Sequence, residues 1–551
     1  MGFNEDRQIK KGGAFMSKKM FSAALVLTLL ISLLAACSGN GSGNNPPAAG
    51  SDGSPAPAGS GGGQAATADY GDTGGLALPL VDKPTTIKML VVSDSTKLNE
   101  KWAVQELERR TGVKVNLEFY STATFKEKLN FILASGDLPD IIHGPSLAEL
   151  NDLGGKGAFA AINDYLDQLP NFKALYVDNP ENNWVMKSYS DEKGNLYTWP
   201  TYGINREVNH GFLYRKDIFD KHNIPLWTNQ DEFYQALKKL KELHPNSVPY
   251  SSKTQANIFR DWGHSWGLSG YPNNYDEETK QWEFSFTQPE FKEMLDFMKK
   301  LYNEGLLDPE FMTDTSANWT AKMTSNNSFV TYDWIGRLDM FATQAKDAIP
   351  DYDLRYGNPI GPSGKTLSLP KIATFGHAVA KNKNTEVSMK LLDYLTSPSG
   401  AELMTVGQEG VNYELDENGR PVYPELKDLE LVDIKALEDK YGLWTQGFYV
   451  RTDSRSVYYN FTEKEQEAQD MMKDKKLALD PVLKFTDEET STIAELTQAL
   501  QKAGEEFSAK YVLTASHGQA EWDAWLQQAK KLGEDEFVGA YNAAQARYDA
   551  E

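Results

Sequence analysis

GHSWG, Gly263 to Gly267, has the spacing of the G-x-S-x-G elbow, in which a serine on a sharp strand-to-helix turn attacks a carbonyl carbon. Asp308 and His377 follow in the order serine, acid, histidine. The elbow needs an apolar strand before it and a helix after it. SKTQANIFRDW precedes and LSGYPNN follows, so the pattern argues against a hydrolase. GPSGKT (361–366) has the end of a phosphate-binding loop, but the first glycine of that pattern would fall at Pro359, and the stretch reads as a turn. The histidines at 143, 210, 222, 244, 264, 377 and 517 include no pair at metal-ligand spacing. DEKGN (191–195) and DENGR (416–420) lack the alternating oxygen ligands and distal glutamate of a calcium loop and read as polar turns between strands. The expectation is a chain without cofactor or metal, and not an enzyme.

Cys37 is the only cysteine, so neither an internal disulfide nor a multi-sulfur metal site is available. Lys18 and Lys19, an apolar run from Phe21 to Leu34 and the small Ala35 and Ala36 lead up to it. That is a charged n-region, an h-region and a small-residue cleavage site, and the run falls short of the ~20 residues that span a bilayer. The order Leu34, Ala35, Ala36, Cys37 resembles the lipobox of bacterial lipoproteins, whose cysteine sulfur carries a diacylglyceryl group. With two acyl chains the anchor is stable. An ordinary secretory signal with a chance cysteine is the alternative. Residues 1–15, upstream of Met16, read as a leader or a mis-assigned start.

Residues 1–36 hold five basic side chains (Arg7, Lys10, Lys11, Lys18, Lys19) and two acidic ones (Glu5, Asp6), so the remainder carries 51 basic against 76 acidic, a net charge of -25. Such a surface argues against nucleic acid as a partner. From Ser38 to about Gly75 the chain is rich in Gly, Ser, Pro, Ala and Asn, too poor in apolar surface to fold. As a coil it would space the body roughly 35 Å from the lipid.

Aromatic residues are abundant, with 12 Trp and 26 Tyr. Trp199, Tyr202, Trp262, Trp266, Trp334 and Trp444 stand in loop-like polar contexts, with His264 between two of them. Flat rings cover the C–H faces of a pyranose, and polar side chains bond its hydroxyls. The alternative for each tryptophan is the core, where tryptophans more often sit.

The elements that must position these residues alternate. Thr86–Val92 reads as a buried strand, NEKWAVQELERRTG as a helix capped at Gly112, and Val113 to Phe119 as an alternating strand. A helix on Phe125, Leu129 and Leu133 follows, then a strand from PDII (139–142). Residues 211–219, 328–334 and 373–395 repeat the strand-then-helix order, and a charged helical tail starts near Glu488. Such alternation predicts an open α/β sheet. Ligands bind beyond the C-terminal ends of its strands, which makes Ser93, Asp94, His143 and Ser146 candidates, with a capping or loop role as the alternative for each.

Several stretches together resemble the extracellular solute-binding lipoproteins of bacterial ABC importers, in the carbohydrate-type branch: ELERRTGVKV (106–115), LASGDLPDII (133–142), GAFAAINDYLD (157–167), LYRKDIFDK (213–221), YNEGLLDPEF (302–311), NPIGPSGKT (358–366), MKLLDYLTSPSGAELM (389–404) and GQEGVNYELDENG (407–419). The resemblance implies a two-lobed periplasmic-binding-protein-like fold of type II, its lobes joined by crossing strands. It implies one oligosaccharide between the lobes, passed to permease subunits served by a separate ATPase. It places the lobes at 81–208 plus 372–442 and 209–371 plus 443–551, after a linker at 37–80. The crossings fall near 205–212, near 367–374 and around Trp444. Trp334 is implied as a stacking ring and Trp262 as part of a ligand-facing loop. Many members of the branch carry a calcium loop where this chain has HPNSVPYS (244–251), which has no carboxylate, so no calcium is expected there. The resulting expectation is a monomer anchored to the outer face of the cell membrane through Cys37. The alternatives are a polysaccharide-active surface enzyme, with paired carboxylates as acid and base, and a binding protein for a peptide or other non-sugar solute.

Overall fold

The computed structural model describes residues 69–429, 432–456 and 462–550. The export segment, Cys37 and the Gly/Ser/Pro run up to residue 68 lie outside the described residues. One large sheet in each lobe and a separate β6–β7 hairpin are built from β1 (Thr85–Val92), β2 (Val113–Tyr120), β3 (Ile141–Ser146), β4 (Trp199–Tyr202), β5 (His210–Arg215), β6 (Asn273–Asp276), β7 (Gln281–Phe284), β8 (Val330–Trp334), β9 (Leu354–Tyr356) and β10 (Ile372–Val379).

Period-two burial makes the first sheet two-sided. In β1, Ile87, Met89 and Val91 enter one apolar cluster and Leu90 another, and Ile141 and Ile142 divide in the same way in β3. The helix Trp102–Thr111 ends at Gly112, whose φ of 69° suits a residue without Cβ. The chain then returns as β2, parallel to β1 from the Thr85–Val113 pair to the Val92–Tyr120 pair. The sheet order is β2-β1-β3-β10-β4, with β10 antiparallel to both neighbours.

The second sheet repeats this plan. Its order is β8-β5-β9, with β5 antiparallel to both. Tyr250 bridges in parallel to Val330 and to Leu307, which extends the order beyond β8. Counted from Tyr250, the parallel segments again run second, first, third, then an antiparallel strand, then fourth.

The chain leaves β4 at Tyr202 and starts β5 at His210, and it leaves β9 at Tyr356 to start β10 at Ile372. These connections tie the C-terminal edges of the two sheets together. A third segment lies beside them: Tyr202 N–H donates to Val450 O at 2.8 Å and Thr452 N–H to Tyr202 O at 2.9 Å. Leu443, Phe448 and Val450 pack in the first lobe's core, beyond the expected boundary at 442, because this segment crosses that sheet before leaving it.

The described end of the expected linker is docked. Leu76, Leu78 and Leu80 pack on the first lobe's core, and Leu80 N–H donates to Thr111 O at 2.8 Å. The Tyr70 ring lies about 5 Å from the guanidinium carbons of Arg109 and Arg110. A few apolar side chains among the small ones suffice to dock this strap.

The tail forms helices Asp487–Leu513, Gln519–Lys531 and Glu534–Ala550 on the second lobe. Trp525 Nε1 donates to Phe286 O at 2.8 Å and Trp282 Nε1 to Gln545 Oε1 at 3.0 Å, so its tryptophan and the β6–β7 hairpin fix it in place. Among the described residues no helix is long and apolar enough to cross a membrane.

Candidate ligand-binding site

The joined edges carry different chemistry. On the second lobe, β8 ends in Asp333 and Trp334, and the strand pairing sets Trp334 beside His210. Trp334 is 40% exposed, although the rest of β8 is buried. Gly336 lets its ring fold back, since a Cβ there would meet the indole at 2.3 Å. Next to it, the buried Asp333 carboxylate pairs with both Lys253 Nζ and Arg337 Nε, and Trp334 N–H donates to its Oδ1 at 2.8 Å. Lys253 and Arg337 also lie over the Trp319 ring, at 4.2 and 5.4 Å. Arg260 pairs with Asp261 at 2.8 Å. Burial holds the His210 imidazole below its usual pKa, and the charges of Arg260, Lys253 and Arg337 push the same way against Asp333. Two cations sharing one carboxylate leave this edge net positive beside an accessible indole.

On the first lobe, Asp94 follows β1, is exposed, and accepts from Thr122 Oγ1 at 3.3 Å. Ser146 ends β3 and caps the helix Leu147–Gly155: its Oγ accepts from Glu149 N–H at 3.3 Å while Glu149 Oε2 accepts from Ser146 N–H at 2.8 Å. The capping alternative therefore accounts for Ser146. Phe375, paired with Ser146, is 44% exposed, and Tyr202 is half-buried under Lys371 and Arg451.

The remaining candidates lie inside. Trp262 is 0% exposed, donates from Nε1 to Tyr250 Oη at 2.7 Å and stacks on Trp266 at 6.3 Å and 7°. Residues four apart on a helical stretch share a face, and this face points into the second lobe's core. His264 is buried, with Nδ1 3.4 Å from Tyr332 Oη, and burial pushes its pKa down to about 4. Trp199 is buried and donates to Thr396 Oγ1 at 3.0 Å. Trp444 is half-buried against the first lobe and donates to Thr405 O at 2.8 Å. His143 is buried beside His377, ring centroids 4.9 Å apart, and His377 Nε2 bonds Gly447 O at 2.9 Å. None of the five indole or imidazole groups Trp262, Trp266, His264, Trp199 and His143 has appreciable surface for a ligand.

The serine-hydrolase arrangement does not assemble. Ser265 is buried in the second lobe, Asp308 pairs with Lys322 at 2.7 Å, and His377 belongs to the first lobe's sheet. The acidic turns close on themselves: Asp191 Oδ1 accepts from the Lys193 and Asn195 N–H groups at 2.8 Å, and Asp416 Oδ1 from Asn418 and Arg420 at the same distance. The sequence reading passes over His210, Lys253, Asp333, Arg337 and Phe375. The available signal is their place at strand ends next to Trp334 and Ser146.

Two lobes of one strand order, joined at the edges where open sheets bind ligands, define a two-lobed α/β solute-binding fold. The chain belongs to the bacterial extracellular solute-binding proteins, whose family pattern it matches over residues 93–402. It is 26% identical over 413 residues to the fructooligosaccharide ABC transporter substrate-binding protein FusA of Streptococcus pneumoniae serotype 4, covering 70% of each chain. It is 24% identical over 364 residues to lipoprotein LipO of Bacillus subtilis, covering 60% of this chain and 68% of that one. The structure of the alginate-binding protein AlgQ2 aligns in fold with a TM-score of 0.64 and 24% identity, covering 85% of this chain and 99% of the other. At the level of the family, this is an extracellular solute-binding protein.

Proposed function

We propose that the protein is a lipid-anchored receptor on the outer face of the cell membrane that captures an oligosaccharide between its lobes and delivers it to the permease of an ABC importer. The observation that carries the ligand class is the accessible Trp334 indole at the end of β8, beside paired cations. The indole stacks on a sugar face, while Lys253, Arg337 and His210 from one lobe and Asp94 from the other bond its hydroxyls. FusA, by name a fructooligosaccharide receptor, supports the same class here. LipO, by name a lipoprotein, supports acylation at Cys37. Hinge closure buries the ligand, and the affinity reflects contacts minus the cost of populating the closed state. The ATPase and channel are separate chains, and the receptor acts as a monomer.

Trp334→Ala tests the reading by calorimetry against neutral oligosaccharides, uronic oligosaccharides and peptides. A sugar should bind the parent and lose about tenfold or more in affinity in the variant, with the melting temperature nearly unchanged. A sharp drop in melting temperature with intact affinity would make Trp334 a core residue. Polysaccharide incubated with the protein should yield no new reducing ends.

A further inference from the structure

A second feature lies where the lobes meet, formed by residues distinct from the Trp334 group. A cavity of about 610 Å³ opens between the segment Glu181–Trp184 and the start of β10 on one side, and Leu479, Asp480 and the last-helix Tyr548 on the other. Small-molecule sites commonly measure ~300–1,000 Å³. Its walls combine two aromatic side chains, Trp184 and Tyr548, with the polar Asn182, Lys371 and Asp480.

Each wall is held in place. Lys187 Nζ sits 3.8 Å from the centre of the Tyr548 ring, which ties the end of the tail to the first lobe. Trp184 meets Tyr189 edge-on at 5.7 Å and packs, like Val482, on the first lobe's core. Asn182 Nδ2 donates to Leu175 O at 3.0 Å. Asp480 accepts from Ser269 Oγ, and burial raises its pKa to about 6.

The cavity adjoins the joined edges. Its Lys371 reaches over Tyr202 at 4.7 Å, at the end of β4, and its Thr374 precedes the exposed Phe375 opposite Ser146. Through Lys371 the cavity reaches the Tyr202 end of β4, where the chain crosses between the lobes.

We propose that this cavity is an accessory saccharide subsite, in which Trp184 and Tyr548 hold units beyond those at Trp334 and so select for longer oligosaccharides. It rests on the capture reading above and adds chain-length selection to it.

The test is calorimetry with fructo-oligosaccharides and with alginate oligosaccharides, each from dimer to octamer. In the series that binds, wild-type affinity should rise with length, and Tyr548→Ala should remove about tenfold from the long members only. Trp334→Ala should weaken every length. Trp184→Ala should repeat the length-dependent loss, and because Trp184 also packs on the core, Tyr548→Ala on the last helix is the deciding variant. Length-independent wild-type affinity, or an unchanged length profile in Tyr548→Ala, overturns the subsite and leaves the capture reading intact. Failure of both series to bind at any length sinks both. A Tyr548→Ala variant that binds every length normally but no longer supports uptake by cells overturns the subsite in favour of a permease-docking surface.

Discussion

The two lobes share one strand order but differ at the edges that meet. The second lobe ends in an accessible indole and a shared-carboxylate ion cluster, while the first lobe turns its imidazoles inward as the His143–His377 pair and leaves Asp94 and Phe375 exposed and Tyr202 half-buried. The strand order sets where a ligand can sit. In the proposed reading the few residues at the strand ends decide what it is, while the same residue types one or two positions back serve the core.

The largest test of this contrast sets Trp262 against Trp334. Trp262→Ala empties a fully buried site in a ring cluster and should destabilise the second lobe by about 3–5 kcal/mol, read as an early melting transition by calorimetry. A small loss would mean that the buried indole pair is dispensable, and the distinction between core and platform would fail.

The next effect concerns the inward imidazoles. Burial pushes His377 down to about 4 and His143 well below its usual value. An unfolded histidine titrates near ~6.5, so between about pH 6.5 and 4 the unfolded chain binds more protons than the folded one. Stability from this pair is full above that window and is lost as the pH falls through it. Asp393 and Asp480, raised to about 6 by burial, act in the opposite sense. The comparison must therefore be between variants: the melting temperature of His377→Gln should depend less on pH across this window than that of the parent. Parallel profiles would mean that the pair is not the source.

The smallest effect is at the first lobe's surface. Asp94→Ala removes one exposed acceptor and should cost a few-fold in sugar affinity, well below the loss in Trp334→Ala. An equal loss would make the two edges equivalent partners and erase the asymmetry.

Much of the scaffold is legible in the residues themselves. The alternation of Ile87, Met89 and Val91 and the stop at Gly112 give the first strand-helix-strand unit from local physics, and the edges at Asp94 and Ser146 follow from it. Trp334 is proposed through resemblance, because nothing in TYDW by itself separates a platform from a core ring. What stays hidden is non-local. Trp262 and Trp266 look as polar in context as Trp334, and only the surrounding Tyr250, Phe297 and Phe212 bury them. Lys253, Asp333 and Arg337 meet across two segments far apart in sequence, and His143 meets His377 only because β10 pairs with β3. Likewise, three leucines and Tyr70 in a small-residue run weigh little in composition but are enough for docking.

That strap has a mechanical consequence. It fastens on the Arg109–Arg110 side of the first lobe and at Ser399, whose Oγ donates to Tyr70 O at 2.5 Å. Any force transmitted through the N-terminus is thus borne first by the first lobe, as the stator of the pair. The second lobe receives that load through the crossing segments, through Val482 packed on the first lobe's core and through the Lys187–Tyr548 contact.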